Sequence, residues 1–118
     1  MSVFPIVRAL VTFLSHDNGG RATMPDLSSG QYMPHLVVQS PEVRTATVIK
    51  GNVILDDYLG IRFISGPREV IRDREHDCEV ELMYHPTLSY DAVREGTTFT
   101  VREGGKVIGF GVVTGRSG

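Results

Sequence analysis

Residues 98–115 read TFTVREGGKVIGFGVVTG. Two runs of β-forming residues flank the charged turn Arg102-Glu103-Gly104-Gly105, and the second run gives two further positions to Gly109 and Gly111. Glycine weakens a strand, because it packs nothing and loses much backbone freedom on folding, so its recurrence two residues apart needs a cause. A strand over 97–101, a turn over 102–105 and a strand over 106–113 make a hairpin in which Gly104 and Gly105 can take positive φ. Along the second strand Val107, Gly109, Gly111 and Val113 share one face, while Ile108, Phe110 and Val112 share the other. Both faces are largely apolar. Glycines at alternate positions on one face leave a smooth strip where the strand bends or another backbone or ring comes close. A narrow closed barrel demands such places, because side chains cannot occupy every inward position. The stretch predicts a small closed antiparallel β-barrel, with Gly104, Gly105, Gly109 and Gly111 in structural roles.

The rest of the chain has the same grain. Apolar residues come in short blocks between turn residues, as in all-β chains. Residues 8–14 read as a strand, followed by a turn at SHDNGGR. Residues 32–39 read as another, whose start Pro34 confines to an edge or bulge. RTATVIKGNVILDD suggests two strands about Lys50-Gly51-Asn52, and 61–64 a further one. CEVELMYH alternates, with Cys78, Val80, Leu82 and Tyr84 on its core face and Glu79, Glu81 and Met83 opposite. No segment sustains a helical period; a short helical turn is expected only over 90–95. Without a repeat, low-complexity tract or linker, residues 1–118 read as one domain.

Composition narrows the function classes. With 12 basic and 14 acidic residues the formal charge is -2, so no overall field recruits polyanions. A single cysteine, Cys78, excludes an internal disulfide and fits a reducing compartment. No stretch reaches the ~20 apolar residues of a membrane helix, and a cytoplasmic location is expected. No G-x-x-x-x-G-K-[ST] loop is present to cradle nucleotide phosphates.

Four motifs, in order, carry a resemblance to a known family. TFTVREGGKVIGFGVVTG resembles the C-terminal end of bacterial elongation factor Tu, whose third domain closes with a strand, REGG and a G-x-G-V-V strand. VTFLSHDNGGR, residues 11–21, is similar to the start of that domain, where a strand ends in leucine-serine before an acidic residue and Gly-Gly-Arg. GQYMPHLVV is similar to its next strand, and VELMYHP to its late strand ending before proline. The resemblance implies a stand-alone, divergent barrel of six or more strands, longer in the middle around TATVIKGNVILDD and lacking the nucleotide domain. It also implies a contact module: in elongation factor Tu this domain touches the T-stem backbone of tRNA, packs on the nucleotide domain and meets the exchange factor Ts. Carried over by position, the candidate contact residues are Gly19, Gly20, Arg21, Tyr32 and His35. Met33 stands where the family has a basic residue, and Ala22-Thr23 replaces its His-Thr, which removes donors able to reach phosphate.

Other candidates are weighed on their own chemistry. Arg21 can neutralise a phosphate or an acidic partner, or simply cap a turn. GPREVIRDREHD mixes arginines with acids and reads as a solvated loop. His76-x-Cys78 offers two metal-capable side chains without a third ligand nearby, and Cys78 lacks a neighbouring base, so a buried thiol is the plainer reading and no metal or cofactor is expected. Tyr32, Tyr58, Tyr84 and Tyr90 could stack bases or rim a core. The expected function is a noncatalytic binding module that docks a protein partner or a second copy of itself. The alternatives are an RNA-binding module for tRNA-like stems and a small barrel enzyme.

Overall fold

Apolar residues at alternate positions give each strand one face that must leave water, and six such strands solve this together by rolling into a cylinder. The computed structural model describes residues 4–44, 48–49, 52–53, 58–85 and 87–117. Its strands are β1 (Ile6–Phe13), β2 (His35–Val38), β3 (Val48–Ile49), β4 (Asn52–Val53), β5 (Leu59–Ser65), β6 (Glu75–Leu82), β7 (Thr98–Glu103) and β8 (Lys106–Ser117), with a short 3-10 turn at His16–Asn18. The order β1-β6-β5-β2-β7-β8 closes on itself, every neighbour antiparallel, and β3 and β4 form a separate two-stranded ribbon. Lys50 and Gly51, the expected turn of that ribbon, lie outside the described residues. The expected all-β closed barrel is therefore observed. No helix among the described residues is long and apolar enough to cross a membrane.

Closure depends on β8. Gly111 lies between Val11 of β1 and Phe99 of β7, and Gly109 between Phe13 of β1 and Val101 of β7. All four flanking residues are buried in the core. Each glycine thus gives its inward volume to the large side chains on both sides. A Cβ at Gly111 would stand 2.5 Å from the Leu10 carbonyl oxygen and 2.7 Å from Phe99 Cζ, and one at Gly109 would stand 2.6 Å from the Thr12 oxygen. Those separations lie well inside van der Waals contact, so the backbones of β1 and β8 approach only because both Cβ atoms are missing.

A β-bulge modifies the strict alternation read from the sequence. Arg102 pairs with Val107 whereas Val101 pairs with Gly109, leaving Ile108 as the extra residue. Ile108 consequently turns into the core beside Gly109, and Val107, opposite Arg102, is buried apart from the central cluster. The turn is also tighter than expected: Arg102 and Glu103 belong to β7, and the reversal is made by Gly104, with φ 60°, and Gly105.

The core fills the cylinder with Val7, Val11 and Phe13 from β1, Leu36 from β2, Ile61 and Phe63 from β5, and Cys78, Val80 and Leu82 from β6. Tyr84, expected to continue the inward row of β6, instead leaves the strand and is 50% exposed, its ring lying over Gly60. The expected helical turn over 90–95 is a single turn closed by the Val93 amide on the Tyr90 carbonyl, 2.9 Å, and is held by Arg116 Nη1 donating to the carbonyls of Tyr90 and Val93. Tyr90 is buried: its hydroxyl donates to the Gly60 carbonyl at 2.7 Å and accepts the Tyr84 amide at 3.1 Å. That network closes one end of the barrel.

Adding a methyl group at the seam tests closure. Gly111→Ala should lose roughly 1–3 kcal/mol of stability through overpacking in urea denaturation. Gly105→Ala, where nothing lies within 4 Å of the added carbon, should stay within about 0.5 kcal/mol of the parent.

Candidate functional site

The Gly19-Gly20-Arg21 loop follows the end of β1 and is shaped by backbone demands. The 3-10 turn ends in Gly19 at φ 92°, and a Cβ on Gly20 would fall 1.8 Å from the Leu14 carbonyl oxygen. Asp73, just before the neighbouring strand β6, braces the loop. Its carboxylate accepts the Ser15 amide at 2.9 Å and Asn18 Nδ2 at 3.3 Å, while its own amide donates to the Phe13 carbonyl at 2.8 Å. Asp73 sits at φ 61°, a left-handed conformation that short polar side chains tolerate better than most. The bonds from Ser15 and Asn18 hold its carboxyl below the ordinary carboxylate range.

Arg21 then meets Glu103 and Tyr32. Arg21 Nε lies 3.1 Å from Glu103 Oε2, its guanidinium 5.4 Å from the centre of the Tyr32 ring, and the Tyr32 hydroxyl donates to the same carboxylate oxygen. The ring is stacked on Phe63 at 5.6 Å and tilted against Phe13 at 6.1 Å, so it joins the core to the loop. Lys106 Nζ completes the clasp by donating to the Gly20 carbonyl at 3.0 Å. Burial, then the hydrogen bond to Glu103, pushes the Tyr32 hydroxyl well above its ordinary range, so it stays protonated as a donor. With Arg21 and Glu103 32% and 34% exposed, their pairing is worth on the order of 1 kcal/mol or less. The arrangement fastens the loop to the β7–β8 hairpin and leaves Arg21 paired with an acid.

His35, expected beside these residues, stands elsewhere. On the outer wall it is flanked by Gly60 of β5 and Arg102 of β7, with its ring edge-on to Tyr58 at 5.7 Å. The sequence reading placed Arg102 in a turn and missed it, yet it is fully buried on that wall. Its Nε donates to Thr100 Oγ1 at 3.1 Å and its Nη1 to the Tyr58 hydroxyl at 3.0 Å, Nη2 donates to Gln39 Oε1, and the guanidinium lies 5.5 Å from the Tyr58 ring centre. Its signal is the polar alternation Thr98, Thr100, Arg102, the outward row of β7, of which Thr100 and Arg102 are buried. Of the four tyrosines, Tyr32 and Tyr90 serve the core, while Tyr58 and Tyr84 lie on the outside.

Part of the outer wall of β1 and β8 is apolar. Leu10 lies opposite Val112 and Thr12 opposite Phe110, all partly exposed. Pro41, from the segment after β2, lines the same shallow groove, and the Arg44 guanidinium stands 5.0 Å from the Phe110 ring centre. Along the adjoining strand β6, the outward residues are Glu75, Asp77, Glu79 and Glu81. Arg8 pairs with Asp77 at 3.0 Å and Arg62 with Glu81 at 3.2 Å.

His76 and Cys78 do not converge on a shared site. His76 Nε2 takes the Ile71 amide at 3.0 Å, and Cys78 is buried in the core. Among the described residues no three His, Cys, Asp or Glu side chains gather to hold a metal. Burial, followed by the charge of Asp77, pushes the Cys78 thiol up to about 12. No protein-family model matches the chain, and no curated protein matches it.

Two outcomes are expected. Because its folded value is depressed, Asp73 stabilises the loop fully above the ordinary carboxylate range, and this is lost as pH falls through the depressed value below 3.8. Thermal melts should find wild type more stable than Asp73→Asn at pH 7 and the gap closing toward pH 2. Cys78 should resist an aromatic disulfide reagent at pH 8 in the folded protein and react fully in denaturant.

Proposed function

We propose that the chain is a noncatalytic binding module that docks a protein partner on the outer wall of β1 and β8. The observation that carries this reading is the row of Leu10, Phe110 and Val112 facing outward and partly exposed where β1 meets β8, the strand whose inward places at 109 and 111 are held by glycine. Apolar residues that a fold does not bury mark surfaces covered by something else. The four motifs similar to the third domain of elongation factor Tu support searching for that partner in the translation machinery, where such domains pack on their neighbours. A role in contacting tRNA-like stems has weaker support, since Arg21, its main donor, is held by Glu103.

The full chain, immobilised and exposed to a native lysate, should retain a defined protein, or elute as a dimer in size exclusion with light scattering. Leu10→Glu with Val112→Glu should weaken that association about tenfold or more, as charges in an interface core do, while leaving the melting temperature near that of the parent. A strict monomer that retains no protein, or retention unchanged by the double variant, contradicts the reading.

A further inference from the structure

The groove over Phe110 is already part filled by the chain itself. Pro41 lies against it beside Leu10 and Val112, and three residues later Arg44 places its cation over the ring. Arg44 is exposed, and its Nη1 donates to the carbonyls of Pro41 and Val43. Contacts of this kind at the surface are weak and can be exchanged. What they display is the chemistry the groove accepts: a proline ring on the apolar floor and a cation on the aromatic face.

The opposite border selects for the same chemistry. Glu75 lines the groove and joins no ion pair among the described residues, whereas Asp77 and Glu81 of the same strand have arginine partners. A carboxylate at the rim favours a cation beside it and disfavours phosphate.

We propose that this groove docks an extended, basic, proline-bearing segment of a partner protein, which displaces residues 40–44 and repeats their contacts. The inference rests on the docking role above and adds the chemistry of the docked segment and a competitor built into the chain. Proline pre-orders such a segment, so less freedom is lost when it lies along the wall. A cation rests on Phe110 in place of Arg44, and a second reaches toward Glu75.

Fluorescence anisotropy with the full-length chain at low salt tests it. The probes are a labelled peptide of repeated Pro-Ala-Ala-Arg units, the same peptide with glutamate for arginine, and a single-stranded RNA of similar length. The basic peptide should bind, and the acidic peptide and the RNA should not. Arg44→Ala, which removes the competitor, should tighten binding about two- to five-fold, and Phe110→Leu and Glu75→Gln should each weaken it by a similar factor. Equal binding of both peptides, preference for RNA, or affinity unchanged in all three variants overturns the proposal. If a partner is retained through Leu10 and Val112 while the basic peptide fails to bind, the docking role stands and this inference falls. If the peptide binds with the expected variant pattern but no partner is retained from the lysate, the groove chemistry stands and the docking role falls.

Discussion

The approach of β1 to β8 governs the rest of the molecule. Two backbones come together there because Gly109 and Gly111 present no Cβ, and the inward space they give up is filled by Val11, Phe13, Phe99 and Val101 from the strands on either side. The same economy has an outward consequence. Since β8 contributes little volume to the core along this stretch, Phe110 and Val112, its apolar residues, face outward with Leu10 beside them. The constraint that closes the barrel thereby also builds the apolar outer strip on which the proposed docking role rests.

At the barrel mouth, the polar chemistry works to immobilise. Asp73 bonds the base of the first loop, Glu103 gathers Arg21 and Tyr32 on one carboxylate, and Lys106 ties down Gly20. These groups are ion-paired, hydrogen-bonded or stacked on the core, so the loop is held by the β7–β8 hairpin that also completes the cylinder. A charge change at Glu103 would release Arg21 and Tyr32 together, which couples the loop to the hairpin.

Much of the fold was legible because its determinants are local. Alternation identified the inward row of β6 as far as Leu82, turn residues marked the breaks, and the spacing of Gly109 and Gly111 pointed to closure. The departures have non-local causes. Ile108 turns inward because a bulge opposite Arg102 shifts the alternation, which no count of residues along β8 alone can show. Tyr84 leaves the inward row because the chain turns at the end of β6 and Gly60, a neighbour in space only, makes room for its ring. The candidate loop stood out as a unit through its Gly-Gly-Arg motif, but its pairing with Glu103 links residues far apart in sequence. His35 and Arg21 were grouped by motif, yet strand pairing carries His35 to the outer wall next to Arg102, whose burial depends on Gln39 and Tyr58.

Hydrogen exchange along β1, read residue by residue by NMR, addresses the closed cylinder most directly. A strand paired on both edges has successive amides alternately bonded to its two neighbours, so all of them are protected, whereas an edge strand leaves every second amide to solvent. A closed cylinder gives slow exchange at consecutive amides from Val7 to Thr12, with cross-strand contacts linking Val11 to both Gly111 and His76. Protection at alternate β1 amides only, with no contact between Val11 and Gly111, would mean an open sheet and would contradict it.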